Sequence, residues 1–169
     1  IYDVVHSMIR QLRPSALDHL GLADAIHELV TQYRRQHPQL SVELISDDGL
    51  NRFDEKFNIT VYRVVQECLT NVVKHAEASR VTVALALKKN LSGQVNMEFL
   101  EIRVSDDGKG LGVDASEGRR FGLLGIKERV HAFDGEVMCE SQRDGGTLIV
   151  ATLPVAPQSV TDVAEANHD

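Results

Sequence analysis

The chain changes its hydrophobic period in an order that few architectures tolerate. Residues 22–37 carry apolar positions at helical spacing (Leu22, Ala25, Ile26, Leu29, Val30, Tyr33), and residues 40–45 alternate (Leu40, Val42 and Leu44 against Ser41 and Glu43). Residues 54–76 return to a helical stripe through Phe57, Val61, Val64, Val65, Cys68, Leu69, Val72 and Val73. Two alternating runs then follow each other, 81–87 and 97–104, and after an interruption come a helical run, 123–133, and a strand pair, 136–141 and 147–153. A doubly wound parallel sheet needs a crossover helix between neighbouring strands. Here strands twice follow strands directly, so the pattern predicts an α+β fold with helices on one face of a mixed, mainly antiparallel sheet.

The breaks agree with that order. Pro38 stops the first of these helices, and Asp54 stands where an N-cap belongs. Ser46-Asp47-Asp48-Gly49, Asp134-Gly135 and Arg143-Asp144-Gly145-Gly146 read as turns, and residues 88–94 as a hairpin loop. Ahead of Gly21, Val4, Val5, Met8, Ile9 and Leu12 form another helical stripe, cut by Arg13-Pro14. Ser15 is placed to cap a short turn through Ala16 and Leu17. The expected division is therefore a helical segment and linker over residues 1–21, one domain over 22–154 and a mobile tail over 155–169. The opening at Ile1, in mid-pattern and without Met, reads as a piece of a longer chain.

Charge and composition exclude several classes. With 18 Lys and Arg against 25 Asp and Glu the net charge is −7, which speaks against a general nucleic-acid binder. No run approaches the length of apolar residues that a membrane span needs, so no membrane contact is expected of this piece. Cys68 and Cys139 both stand in apolar surroundings and make no disulfide framework.

Three constellations carry chemistry. On the long helix, Glu67, Asn71 and Lys74 with His75 follow at spacings that share one helix face. An amide oxygen suits Mg²⁺, a carboxylate can orient or deprotonate a nucleophile, and Lys74 or His75 can meet phosphates. Next, residues 97–104 run into Asp106-x-Gly108-x-Gly110, a carboxylate at a strand end able to accept from an exocyclic amine, beside glycines that allow close approach of a ligand. Finally, Arg119-Arg120-Phe121-Gly122-Leu123-Leu124-Gly125 leads into a helix whose free N–H groups and dipole would favour an anion. Thr147, after Gly145-Gly146, offers a hydroxyl at a strand start. No Walker A loop and no dinucleotide fingerprint occurs.

These residues carry a resemblance. Glu67-x-x-x-Asn71-x-x-Lys74-His75 resembles the N box of the histidine-kinase type ATPases. Asp106-x-Gly108-x-Gly110 and Gly122-x-x-Gly125-Ile126-x-Glu128-Arg129 resemble their two glycine boxes. The fold implied is the Bergerat type, a two-layer α/β sandwich shared with DNA gyrase B and MutL. The phrases Arg63-Val64-Val65-Gln66-Glu67-Cys68-Leu69-Thr70-Asn71 and Leu12-Arg13-Pro14-x-x-Leu17-Asp18-x-Leu20-Gly21-Leu22 are similar to the sensor kinases of the NarX and UhpB type. The resemblance covers residues 1–154 and makes residues 1–21 the end of a dimerisation region.

It implies that Asn71 ligates Mg²⁺ and that Glu67 is the base or water positioner, while Lys74 and His75 approach the phosphates of ATP or ADP. Asp106 would read adenine with Gly108, Gly110 and Thr147, and Gly122, Leu123 and Gly125 would face the phosphates. The partners implied are the dimerisation and phosphoacceptor domain, within a full-length homodimer, and a response regulator with a helix-turn-helix output. The domain would be cytoplasmic, in a parent chain with room for an inner-membrane anchor.

Two departures stand out: the short Phe-containing box is not evident between Gly112 and Phe121, and the acceptor phrase expected on the first dimerisation helix is absent. His6, followed by Ser7, is not that acceptor, so the piece alone is expected not to phosphorylate itself. The alternatives are an anti-sigma-factor type serine kinase of the same fold and a degenerate module that only binds nucleotide or a partner.

Overall fold

The computed structural model describes residue 17 and residues 20–90, 97–111 and 117–155. Helix α1 (Leu22–Gln36) leads into strand β1 (Ser41–Ser46), a 3₁₀ turn (Leu50–Arg52) and helix α2 (Glu55–Asn71), which continues as a π-helical turn (Val72–Ala76). Strands β2 (Arg80–Asn90) and β3 (Met97–Asp106), helix α3 (Glu117–His131) and strands β4 (Glu136–Ser141) and β5 (Thr147–Val155) complete the order. The five strands lie in the sequence β1-β2-β3-β5-β4. Only β1 and β2 run parallel; the other three pairings are antiparallel. This is the mixed, mainly antiparallel sheet expected from the periods.

The helices meet one face of that sheet. Along β3 the inward parity is Leu100, Ile102 and Val104, and it is matched across the ladder by Leu85 and Val83 on β2 and by Leu153, Ala151 and Ile149 on β5. All eight are buried, and against them pack Leu22, Ile26 and Val30 of α1, Val61, Val64, Val65 and Leu69 of α2, and Ile126 and Val130 of α3. Asp106 continues the same parity one step beyond Val104, so a carboxylate ends the core-facing row.

Local chemistry fixes the helix ends. Asp54 caps α2 by accepting from the Phe57 N–H at 2.8 Å, as its position predicted. Gly21 offers α1 no side-chain cap; Asn51, 28 residues away, accepts from the Ala23 N–H at 3.0 Å instead. Phe57 stacks 4.7 Å from Phe53 and edge-on to Phe133 at 5.7 Å, joining the start of α2 to the turn after α3.

Three expectations shift. Lys88, Lys89 and Asn90 extend β2 rather than opening the hairpin loop, because each finds a ladder partner (Phe99, Glu98 and Met97). The end of the long helix loosens from α to π over Val72–Ala76, and Glu77 closes it in the left-handed region at φ 51°. Helix α3 starts at Glu117, six residues ahead of the expected Leu123, and ends at His131 rather than at Phe133. Its glycines lower intrinsic propensity, yet the missing side chain at Gly122 is what lets the helix lie against α2. The stripe before Gly21, with His6, and the tail after Val155 lie outside the described residues, as do residues 112–116.

Candidate functional site

The predicted residues form two groups, one where β3 stops and one between α2 and α3. In the first, Asp106 is buried, and its Oδ1 accepts from the Gly108 N–H at 2.9 Å and the Thr147 N–H at 3.3 Å. Its Oδ2 has no hydrogen-bond partner among the described residues. One oxygen is thus fixed by the backbone and the other is left to accept. The close approach depends on glycine: Gly146 adopts φ +94°, and a Cβ there would overlap the Asp106 carbonyl. Gly110, at φ +75°, passes Ser141, whose Oγ accepts from the Leu111 N–H at 2.8 Å.

In the second group, Glu67 and Asn71 stand on consecutive turns of α2 beneath Gly122 of α3. A Cβ on Gly122 would overlap Glu67 Oε1 and reach Asn71 Oδ1 at 3.0 Å and Nδ2 at 3.2 Å. Asn71 is 6% exposed, and its buried Nδ2 has no hydrogen-bond partner among the described residues. Leaving such a group unpaired costs about 1–3 kcal/mol, so a buried orphan marks a place where an incoming group completes the structure. Turning the amide over exchanges nitrogen for oxygen at the same point, so the carbonyl oxygen a metal needs can be presented there.

The remaining predicted residues divide. Gly108 lies against the π turn: a Cβ on it would overlap the Ala76 carbonyl oxygen and stand 2.8 Å from its carbon. Lys74 is exposed and His75 half-buried on that turn, whose wider winding moves them out of the α-helical phase expected with Glu67 and Asn71. Gly122 and Gly125 lie inside α3, not at its free end, so Gly122 contributes space rather than a free N–H. Gly125 faces Arg129 of its own helix, and Leu123 packs on the core. The side chains of Arg119 and Arg120 lie outside the described residues.

Sequence reasoning missed Asp107. Its Oδ1 accepts from the Ser79 and Arg80 N–H groups, each at 2.8 Å, and its Oδ2 from the Ser79 hydroxyl at 2.7 Å. Those bonds, the Ser79 hydroxyl foremost, hold its carboxyl below the usual range. The doubled Asp before Gly108 was the available signal, but a turn explains it equally well. Burial pushes the Cys68 thiol far up.

Comparison with known proteins bears on the fold and the family. Residues 58–157 match the family described as histidine kinase-, DNA gyrase B-, and HSP90-like ATPase. The chain is 33% identical over 156 residues to the oxygen sensor histidine kinase NreB of Staphylococcus carnosus, covering 92% of this chain and 42% of that protein. It is 35% identical over 154 residues to the signal transduction histidine-protein kinase/phosphatase UhpB of Salmonella typhimurium, covering 91% of this chain and 29% of that one. It therefore spans less than half the length of these curated relatives.

Among solved structures, the ATP binding domain of PrrB from Mycobacterium tuberculosis superposes with a TM-score of 0.57 at 22% identity, over 80% of this chain and 94% of that one. The histidine kinase domain of the Erythrobacter litoralis EL346 blue-light activated kinase gives 0.59 at 20% identity, over 80% of this chain and 61% of that one. At such identities the likeness establishes the fold. With the family match spanning the helix of Glu67 and Asn71, the strand of Asp106 and the Gly122 helix that covers them, the chain belongs to the histidine kinase-, DNA gyrase B- and HSP90-like ATPase family.

Proposed function

We propose that residues 22–154 are the ATP-binding catalytic domain of a two-component sensor histidine kinase, acting in the cytoplasm. The observation that carries this is the orphaned, buried Asn71 amide beside Glu67 under Gly122, a polar position that lacks only its ligand. Asn71 would hold Mg²⁺ through its amide oxygen, the remaining ligands coming from phosphates and water. When bound, the ion neutralises phosphate charge.

The chain's own residues do the rest. Asp106, with Oδ1 tied to two N–H groups, turns Oδ2 to the exocyclic amine of adenine. Gly108, Gly110 and Gly146 let the chain segments around Asp106 pack closely enough to shape the base pocket, with Thr147 beside it. Glu67 orients the attacking group or takes its proton as the γ-phosphate leaves. Lys74, exposed on the π turn, and His75 approach the phosphates. The acceptor is a histidine on a dimerisation domain, the assembly a homodimer, and the next acceptor a response regulator with a helix-turn-helix output. No nucleic acid takes part, and no described helix is long and apolar enough to cross a membrane.

Isothermal titration with ADP and with ATP tests the reading. Binding strengthened by Mg²⁺ is expected, and transfer of labelled phosphate from ATP to a separately supplied dimerisation domain should follow. Absence of nucleotide binding with Mg²⁺ present overturns it, and labelling of a protein serine would move it to the serine-kinase alternative.

A further inference from the structure

Residues 76–80, from the last residue of the π turn to the first of β2, are tied to residues 107–109 by five hydrogen bonds and one packing contact, besides an exposed ion pair. Asp107 makes three of them, to Ser79 N–H, Arg80 N–H and the Ser79 hydroxyl. The Lys109 N–H donates to the Ala76 carbonyl at 2.8 Å, and Gly108 packs on the same carbonyl. The Asp107 N–H adds a longer bond, 3.2 Å, to the Arg80 carbonyl. A π turn is less favourable than the α-helix it replaces, so something outside it must hold it open. The Asp106–Lys109 stretch meets its exit, where the Lys109 N–H satisfies the Ala76 carbonyl, which has no partner within the turn.

The consequence reaches both halves of the site. Asn71 is the residue immediately before the π turn, and Asp106 the residue immediately before Asp107. The clamp thus joins the stretch that follows Asn71 to the stretch that follows Asp106. The exposed Lys109–Glu77 ion pair, at 2.7 Å, bridges the same two segments, but a solvated pair on long side chains holds little. Asp107 has a short arm and three charge-assisted bonds, two of them to backbone.

We propose that Asp107 is a positioning residue of the nucleotide site: by clamping Ser79 and Arg80 it sets the spacing between the base-reading Asp106 and the metal-side Asn71. The inference rests on the nucleotide reading above. Asp107 touches no ligand; it acts through the two residues that do.

The test is the affinity for ADP, with and without Mg²⁺, by titration calorimetry well below the unfolding temperature of each folded variant. Under those conditions a merely structural role lowers the urea midpoint but leaves the dissociation constant unchanged. Asp107→Ala is expected to weaken Mg-ADP binding by roughly tenfold and to shrink the benefit of Mg²⁺. Asp107→Asn keeps an oxygen for both N–H groups and should stay within about threefold of wild type. Glu77→Gln, which weakens only the surface pair, should stay within about twofold.

Asp107→Ala binding as tightly as wild type, or Asp107→Asn as weak as Asp107→Ala, overturns the proposal. If Asp107→Ala does not fold, Ser79→Ala removes only the hydroxyl bond. A loss of about threefold there supports the proposal, and wild-type affinity overturns it. Wild-type protein that binds no nucleotide overturns the functional reading and this inference together, whereas wild-type binding with an indifferent clamp overturns this inference alone.

Discussion

At the scale of single residues the site is defined by what its atoms lack. Asn71 buries an amide nitrogen with no partner among the described residues, and Gly122 provides the space above it. Replacing Asn71 by Ala removes the buried orphan together with the proposed ligand. Mg²⁺ should then no longer change ADP affinity in titration calorimetry, while the urea midpoint moves little or rises, because the unpaired group's cost of about 1–3 kcal/mol is gone. Gly122→Ala places a methyl onto Glu67 Oε1 and Asn71, and overpacking there should cost about 1–3 kcal/mol in urea unfolding and weaken Mg-ADP binding. Cys68, fully buried, has its thiol pushed up from 9.0, so folding favours the protonated form. That contribution is complete below the unfolded thiol's value and declines as pH rises past it. A disulfide reagent at pH about 8 should therefore modify half-exposed Cys139 first and Cys68 only on unfolding. The Asn71, Asp106 and Gly122 pattern was legible in the sequence; the work of Asp107 was not, since a carboxylate 28 residues from Ser79 in sequence gives no local sign of holding it.

At the scale of elements, period and capping chemistry located the two long helices before the sheet hairpin, and Asp54 marked the start of α2. Asp54→Ala should cost about 1 kcal/mol by denaturant unfolding through loss of the Phe57 N–H bond, with nucleotide affinity unchanged because the cap lies at the far end of the helix from Asn71. The two misplaced boundaries share a cause. The π turn ends where residues 107–109 bind Ala76 to Arg80 from outside, and α3 lies against α2 where Gly122 leaves room for it. Both depend on contacts between elements remote in sequence, and neither leaves a mark in the local period.

At the scale of the whole molecule, β3 is the central strand, paired on both sides and buried on one face, whereas β1 and β4 are edges. Amide hydrogen exchange should accordingly be slowest in β3 and faster in β1 and β4, and Ile102→Ala, in the middle of that core, should cost about 2–5 kcal/mol. The alternation over residues 97–104 already placed Asp106 at a strand end, and the succession of strands without crossover helices already required mainly antiparallel pairing. Those facts are local or depend only on order along the chain, so the sequence by itself determined them. Only the tertiary structure decided that Gly122 sits over Glu67 and Asn71, that Thr147 and Gly108 fix one oxygen of Asp106, and that Asp107 binds the exit of the π turn. Each of these is a contact across 27 to 55 residues or a hydrogen bond that competes with a local turn, and its geometry is set by close packing of the finished fold rather than by any preference of the residues that make it.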